Sequence, residues 1–307
     1  MPELPEVETT TKGICQNVLG FKIIDVWTDL SSDLKMFDKT IKNKDYFKYF
    51  KKTIIGQDIV IAKRRAKNIL IHLSNDEIIL IHMKMTGHVM FGEYYYDKKN
   101  NTWKPEDKDY QKPLLDPYNR FVHVVFTIED KHKQIKHLVL ADTRKFAKVK
   151  LVDDKELKIL NDLGPEPLEA DFTFKVFDNI IKNSIPSKSI KTVLMNQNQL
   201  AGIGNIYSDE ILHLAHIHPK RSIKSLSELD IKNIFKHIKP ILLRGIDFGG
   251  DSTSDYRNIH GERGSFQKAH NVYRRKGLLC NKKDCKGTIQ RLVIDTRSSH
   301  FCDTCQV

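Results

Sequence analysis

The sequence predicts an α+β protein, with an N-terminal antiparallel β-sandwich followed by a helical domain. Between Lys22 and Val152, apolar and polar residues alternate with a period close to two, as in half-buried strands. After Asp153 the apolar residues recur at the spacing of amphipathic helices. No long helical segment separates the strand patterns, which favours antiparallel layers over a doubly wound parallel sheet.

The N-terminal half begins with one helix and continues as strands. Pro5 can start a helix over Val7 to Leu19, and Gly20 stands where its C-terminal stop belongs. The strand segments that follow are IIGQDIVIA, NILIHL, EIILIHM, RFVHVVFTIE and QIKHLVLA. Residues 93–119 are polar and aromatic and interrupt this pattern, so we expect a long surface loop there.

The C-terminal half is predicted to be helical up to a polar, loop-like stretch that begins at Gly249 and Gly250. Its amphipathic segments are KELKILNDL, FKVFDNIIKN, KSIKTVLMNQ, NIYSDEILHLAH and SELDIKNIFKHIKPILLRGI. Pro or Gly separates several of these segments. We therefore expect a domain boundary near residues 150–155.

The composition favours an anionic partner. The formal charge is +12, from 51 Lys and Arg against 39 Asp and Glu, which fits either a polyanionic partner or a Lys-rich coding bias. Residues 257–307 hold eleven basic and four acidic side chains, and this local excess favours nucleic acid. No segment has the roughly 20 apolar residues needed to span a membrane, and the first residues are too acidic for a signal peptide. We expect an intracellular, soluble protein that is not secreted.

Four of the five cysteines form a pattern typical of a metal site. Cys280 and Cys285 are separated by four residues, sixteen residues follow, and Cys302 and Cys305 are separated by two. Paired thiolates at both ends of a short hairpin can surround Zn²⁺ as a tetrahedron, and four protein ligands make such a zinc structural. Four unligated thiols are the alternative. The fifth cysteine, Cys15, is predicted to fill the core.

The N-terminus, MPELPE, offers a candidate nucleophile. Removal of Met1 leaves Pro2 as a secondary amine with Glu3 and Glu6 nearby. A terminal amine titrates near about 8 and a lysine near about 10.4, so the terminus is the readier nucleophile at neutral pH. Its attack on a sugar C1′ gives an iminium that eases loss of the 3′ phosphate, and Glu3 could protonate the ring oxygen. An acidic terminus without such a role is the alternative.

Two further segments are candidate phosphate sites. Residues 201–207, AGIGNIY, lack the ending of a nucleotide-binding loop, but a turn into a helix beginning near Asn205 exposes backbone N–H groups to a phosphate. A tight helix-helix turn without ligand is the alternative. Residues 288–294 predict a strand, and the turn after it presents Arg297 at a hairpin tip, where it suits a phosphate or is simply solvated.

Together these segments resemble the formamidopyrimidine-DNA glycosylase family, which also contains endonuclease VIII. The resemblance runs nearly end to end. The segments that carry it are MPELPEVE (1–8), the strand after Lys67, HMKMTG (82–87), DTRKF (142–146), LGPEPL (163–168), LAGIGNIYSDEIL (200–212), GGDSTSDYRNIHGERGSFQ (249–267), VYRRKG (272–277) and the four-cysteine finger.

The resemblance implies four parts and a DNA partner. They are a catalytic β-sandwich (1–152), a helix-two-turn-helix domain (153–248), a lesion-capping loop (249–270, hereafter the capping loop) and a zinc finger (271–307). The partner is damaged double-stranded DNA, which a monomer without membrane association holds in a cleft.

The resemblance also implies a role for each matching residue. The catalytic set is Pro2 as nucleophile, Glu3 as general acid, Lys67 as the lysine that binds phosphate and assists elimination, and Arg297. Glu6 belongs to the lesion pocket. The DNA-binding set is Lys67, His82, Met85, Arg144, Phe146, Asn205 and Arg297. Of these, Met85, Arg144 and Phe146 fill the gap that the extruded nucleotide leaves in the duplex. Turning a nucleotide out of the duplex costs a few kcal/mol, which such side chains partly offset. Taken alone, Lys67 belongs to a basic cluster typical of a solvated face, and His82 is typical of a core residue.

The sequence departs from the family pattern in three places. The first cysteine pair is spaced by four residues instead of two, residues 93–119 form a longer stretch than expected, and Thr143, Lys145 and Ala147 replace Pro, Arg and Gly. The leading hypothesis is a bifunctional glycosylase and AP lyase that removes oxidised purines through a Pro2 Schiff base and β,δ-elimination. The alternatives are the same chemistry on oxidised pyrimidines, or a zinc-finger DNA-binding protein without catalysis.

Overall fold

The computed structural model describes residues 1–33 and 39–307. The chain folds as two units. The first unit contains residues 1–159 and 248–265, and the second contains residues 160–247 and 266–307. The four parts expected from the sequence, divided at residues 152, 248 and 270, stay a prediction.

The first helix of unit 1, α1 (Leu4–Val18), begins three residues earlier than predicted. Pro5 lies within its first turn, and the Glu6 carboxylate accepts the backbone N–H of Glu3 at 2.8 Å, which satisfies a donor that the helix leaves unpaired. The chain leaves the helix through Gly20, whose φ of +78° suits glycine.

Two four-stranded sheets form the β-sandwich of unit 1, as the sequence predicts. The strands are β1 (Lys22–Thr28), β2 (Ile59–Arg65), β3 (Asn68–Leu73), β4 (Ile78–His82), β5 (Gly87–Gly92), β8 (Val122–Glu129), β9 (Ile135–Asp142) and β10 (Lys148–Leu151). The orders of the two sheets are β1-β8-β9-β5 and β10-β4-β3-β2, and neighbouring strands are antiparallel. One apolar core joins residues of both sheets to Val7 and Ile14 of α1.

Two stretches of unit 1 differ from the prediction. Helix α2 (Lys44–Ile54) occupies part of the segment expected to be strand, and it buries Phe50 and Ile54. Residues 93–119, expected to be a long surface loop, contain the hairpin β6 (Tyr94–Asp97) and β7 (Thr102–Pro105) followed by short 3₁₀ turns. Leu114 joins a second core, against which both Trp27 and Trp103 pack. The four-residue strands β6 and β7 are too short for periodicity to separate them from a loop, and α2 lies within a stretch that was assigned to strands as a whole.

Unit 2 is helical, with a C-terminal hairpin, as predicted. The helices are α3 (Asp154–Asn161), which spans the boundary between the units, α4 (Phe174–Lys182), α5 (Ile190–Met195), α6 (Asn205–Leu214) and α7 (Glu228–Asp247). The hairpin strands are β11 (Ile289–Ile294) and β12 (Arg297–Cys302). Across the described ranges, no helix is both long enough and apolar enough to cross a membrane.

Candidate functional site

The N-terminal residues of unit 1 are buried and held by the capping loop. Pro2 is buried, and Glu3 and Glu6 are 2% and 1% exposed. One Glu6 oxygen, Oε2, accepts the backbone N–H of Glu3, while Oε1 accepts the N–H of Asp251 at 2.7 Å. The chain approaches closely here, because a Cβ on Gly250 would lie 2.9 Å from Cγ of Glu6. Glu6 therefore fixes the start of the chain against the capping loop.

Tyr256 of the capping loop makes a second connection to α1. Its hydroxyl donates to the backbone oxygen of Glu6 at 3.0 Å and lies 3.3 Å from Oγ1 of Thr10. Burial raises the pKa of Tyr256 well above its usual range, so the hydroxyl stays protonated. Apart from the resemblance, no pattern in the sequence indicates this contact.

Lys67 lies in the tight turn between β2 and β3 and is 7% exposed. Arg64, at the end of β2, donates to Glu8 of α1 at 2.7 Å and to the backbone oxygen of Ala66 at 3.2 Å. Ala66 itself has a φ of +52°. This ion pair ties the turn that carries Lys67 to the helix that follows Pro2.

His82 ends β4 in a basic environment. Burial, together with the charges of Lys84, Lys67 and Lys148, lowers its pKa to about 3, so the ring is neutral at physiological pH. Its Nδ1 accepts the backbone N–H of Lys84 at 2.9 Å, which leaves the proton on Nε2. His82 can therefore offer one N–H donor.

The three residues expected to fill the DNA gap lie on two neighbouring connections. Met85 follows β4 and is 37% exposed, and Phe146 lies between β9 and β10 and is 49% exposed. The guanidinium of Arg144 stacks over the Phe146 ring, with Cζ 4.5 Å from the centroid. Large exposed apolar groups of this kind are typical of interaction surfaces.

Asp142 joins these two connections, and sequence reasoning did not single it out. Its carboxylate accepts the Thr86 hydroxyl and the backbone N–H groups of Arg144 at 3.1 Å and Ala147 at 2.7 Å. Thr86 is the neighbour of Met85. An aspartate that opens a short polar turn is a common signal for such a role, since Asp often accepts backbone N–H groups two residues on.

In unit 2, Asn205 is the first residue of α6, where the sequence placed a helix start. Gly202, with a φ of +84°, shapes the turn before the helix. The side chain of Gln197 accepts the backbone N–H of Gly202 and donates to the backbone oxygen of Ile203. Within the described part of the chain, Oδ1 of Asn205 is buried without a hydrogen-bond partner. The backbone N–H groups of this first turn form the positive end of the helix.

Arg297 is the first residue of β12 and is exposed. Asp295 and Thr296 form the turn before it, with φ values of +42° and +68° as in a type I′ hairpin. Arg297 therefore lies beside the tip of the hairpin.

Asp209 and Glu210 of α6 were missed by sequence reasoning, although two acidic residues in a helix that is otherwise largely apolar are a usable signal. Asp209 is buried against Lys191, and it accepts the Ser299 hydroxyl at 2.7 Å and the backbone N–H of His300 at 2.8 Å. Glu210 accepts three consecutive backbone N–H groups, those of residues 271–273. Helix α6 thus anchors both the hairpin and the chain that leads into it.

The four predicted cysteines form one cluster. All four Sγ atoms lie within 4.8 Å of one another, with Cys280 and Cys305 3.9 Å apart and Cys285 and Cys302 3.6 Å apart. A zinc ion with Zn–S bonds of about 2.3 Å has S–S edges of about 3.8 Å. The donor set therefore fits one structural zinc ion, despite the longer first spacing.

Comparisons with known proteins agree with this geometry. The family model described as "Formamidopyrimidine-DNA glycosylase N-terminal domain" matches residues 1–149, the glycosylase H2TH domain model matches 163–257, and a zinc finger found in FPG and IleRS matches 277–307. The chain belongs to the formamidopyrimidine-DNA glycosylase family. The predicted fold class, helix-two-turn-helix domain and four-cysteine zinc finger are confirmed.

Members of this glycosylase family match over their whole length. The formamidopyrimidine-DNA glycosylase of Carboxydothermus hydrogenoformans is 35% identical over 306 residues, and that of Herpetosiphon aurantiacus is 33% identical over 307, each with 100% of both chains covered. A complex of Lactococcus lactis Fpg with DNA containing an abasic site has a TM-score of 0.79 at 29% identity, with 99% of both chains covered. A complex of the same enzyme with DNA containing Fapy-dG has a TM-score of 0.78 at 29% identity, again with 99% of both chains covered.

Proposed function

We propose that this family member is a bifunctional DNA glycosylase and AP lyase of base excision repair. It removes oxidised purines, formamidopyrimidines and 8-oxoguanine, from damaged double-stranded DNA, and it acts as a monomer. The observation that carries the proposal is the double hydrogen bond of Glu6, which holds the Pro2 segment against the capping loop. The Lactococcus lactis complexes with abasic and Fapy-dG DNA support the choice of substrate.

The proposed chemistry begins once Met1 is removed and Pro2 carries a free amine. The amine nitrogen bonds to C1′ of the damaged nucleotide as the bond from C1′ to the base breaks, and the base leaves with the proton that the amine gives up. Glu3 protonates the ring oxygen as the sugar opens to an iminium. Loss of a C2′ proton to solvent then expels the 3′ phosphate, and loss of the C4′ proton expels the 5′ phosphate. Water hydrolyses the remaining Schiff base and returns Pro2 to the free amine.

The remaining residues bind the DNA in this proposal. Lys67, Asn205 and Arg297 bind DNA phosphates, and Lys67 and Arg297 also belong to the catalytic set. Neutral His82 donates a hydrogen bond from its Nε2–H group to the DNA backbone. Met85, Arg144 and Phe146 enter the gap left by the extruded nucleotide. Glu6 lines the lesion pocket, and the capping loop covers the base. The finger supports Arg297, and its zinc ion takes no part in the chemistry.

Borohydride trapping tests the proposal. The untagged protein is incubated with an 8-oxoguanine duplex and reduced, and we expect a covalent adduct whose cross-linked peptide begins at Pro2. The Pro2→Gly variant is expected to trap far less. A wild-type protein that gives no adduct, or a variant that traps equally well, contradicts the proposal. Duplexes carrying thymine glycol distinguish a pyrimidine enzyme, and binding without any excision indicates a non-catalytic protein.

A further inference from the structure

An ion pair joins the capping loop to residues 93–119. Arg257 of the loop is 1% exposed, and its Nη2 donates to both carboxylate oxygens of Asp116, at 3.0 and 3.1 Å. The face of Tyr118 covers the same guanidinium, 4.7 Å from Cζ. Nη1 donates to the backbone oxygens of Ser254 and Tyr256, within the loop itself. One buried cation therefore binds the loop to residues that are distant in sequence.

A second connection lies four residues further along the loop. Asn119, 1% exposed, donates from Nδ2 to the backbone oxygen of Gly261 at 3.1 Å, and its Oδ1 lies 2.9 Å from Nε2 of His88. Gly261 has a φ of +81°, and a Cβ there would lie 2.9 Å from atoms of Leu114. Asn119 and Leu114 therefore form a close-fitting surface that only glycine can approach.

The charge of residues 93–119 argues against a direct role in binding phosphates. This stretch holds five lysines and six acidic residues, in a chain whose formal charge is +12. Three of its lysines, Lys104, Lys108 and Lys112, are paired with acidic neighbours inside the stretch. A segment of this composition adds little to the attraction of DNA, which depends on unpaired cations.

We infer that residues 93–119 are a brace that orders the capping loop before DNA binds, with Asp116 and Asn119 as positioning residues for recognition of the damaged base. This inference rests on the proposed role of the capping loop. The loop has little regular structure, and ordering it only on binding would cost conformational entropy. The brace fixes Arg257 and Gly261, so that the loop already has the shape in which Asp251 reaches Glu6.

The Asp116→Asn variant tests this inference, because asparagine can still accept the backbone N–H of Tyr118 but leaves Arg257 buried without its counter-ion. Asp97→Asn is the matched control. Asp97 lies in the same stretch and pairs with Lys104, away from the loop. Each protein is assayed for base excision from an 8-oxoguanine duplex and for nicking of a duplex with a preformed abasic site, which has no base for the loop to cover.

We expect Asp116→Asn to lower kcat/KM for excision about tenfold. A fall of this size results if the loop is ordered in only about a tenth of the molecules, because only those molecules are competent to bind the damaged base. Nicking at the abasic site should be unchanged, and Asp97→Asn should leave both activities unchanged. Full excision activity in Asp116→Asn, or an equal loss of both activities, overturns the inference. A wild-type protein that neither excises nor nicks instead contradicts the proposed function.

Hydrogen exchange provides a readout without DNA or catalysis. In the wild-type protein the backbone N–H groups of Asp251 and Gly264 are bonded to Glu6 and Ser252 and should be protected. Asp116→Asn should speed exchange over residues 251–264 while the strands of the sandwich keep their protection. Uniformly faster exchange indicates general unfolding and overturns a local role, as does an unchanged loop.

Discussion

The carboxylate of Asp209 lies 2.7 Å from the hydroxyl oxygen of Ser299, so helix α6 and strand β12 are joined where both side chains are buried. Asn205 begins the same helix, and Arg297 begins the same strand. A single carboxylate therefore fixes two proposed phosphate-binding residues relative to each other.

Replacing Asp209 should be costly for stability. Asp209→Ala removes the buried carboxylate that pairs with the ammonium of Lys191, which is 1% exposed, and we expect a loss of about 3–5 kcal/mol in the free energy of unfolding. Urea unfolding followed by circular dichroism measures it. Glu228→Gln, which breaks the exposed pair with Lys232, should produce no measurable change. Equal effects of the two variants would show that burial of the pair does not matter.

Removing zinc should unfold the finger. Each cysteine supplies one of four ligands, so Cys285→Ser should lower the zinc content well below one ion per chain, and it should speed hydrogen exchange in β11 and β12. Cys15→Ser is the control, because Cys15 lies in α1 and its thiol donates to the backbone of Ala62. A Cys285→Ser protein with full zinc content would contradict a four-cysteine site.

His82 should make stability depend on pH. Its pKa of about 3 in the folded chain lies below the 6.5 of an unfolded chain, so the unfolded state binds the proton first. The stabilisation is complete above pH 6.5 and is lost as the pH falls towards about 3. In His82→Gln the slope of the unfolding free energy against pH should fall over that window by up to about 1.4 kcal/mol per pH unit, which corresponds to one proton. Unfolding curves at several pH values measure the slope, and an unchanged slope would show that His82 titrates normally.

Arg297 should contribute to DNA affinity through one phosphate. Arg297→Ala is expected to lower the slope of log affinity against log salt by about 0.9. Arg291→Ala is a matched control, since Arg291 lies on the neighbouring strand and bonds Ser298. Titrations of a lesion duplex at several salt concentrations measure both slopes. If the two variants change the slope equally, Arg297 has no special position.

Phe146 should matter for the intact lesion more than for the abasic site. Its ring is 49% exposed, so Phe146→Ala should leave the melting temperature nearly unchanged. Under the proposed function the ring replaces stacking lost when a base is turned out, and its loss should slow excision of 8-oxoguanine more than nicking of an abasic duplex. Parallel rate measurements on the two duplexes test this difference.

Much of the fold could be predicted because its signals are local. Strand alternation in NILIHL, the glycine turn before Asn205 and the spacing of the four cysteines each depend on a few neighbouring residues. The β6–β7 hairpin was not predicted, because strands of four residues give too few periods, and α2 was not predicted because it lies within a stretch that was assigned to strands as a whole. Their stability comes from packing on the sandwich, which no short window of sequence contains.

The candidate site residues were found through their sequence motifs, but the residues that hold them in place were not. Asp142, Asp209 and Asp116 each bond a segment distant in the chain or shape the turn beside it. An aspartate in a polar turn looks the same whether it faces solvent or accepts several N–H groups. Only the folded chain brings Asp116 to Arg257, 141 positions apart.

The position of the two tryptophans decides what can be seen by fluorescence. Trp27 and Trp103 are the chain's two tryptophans, their ring centroids are 6.5 Å apart, and both belong to unit 1. Tryptophan emission therefore reports how the brace packs on the sandwich, and it does not report the unfolding of unit 2, which holds the zinc finger. A melting curve recorded by emission alone would describe unit 1, and circular dichroism at a wavelength sensitive to helix is needed to follow unit 2.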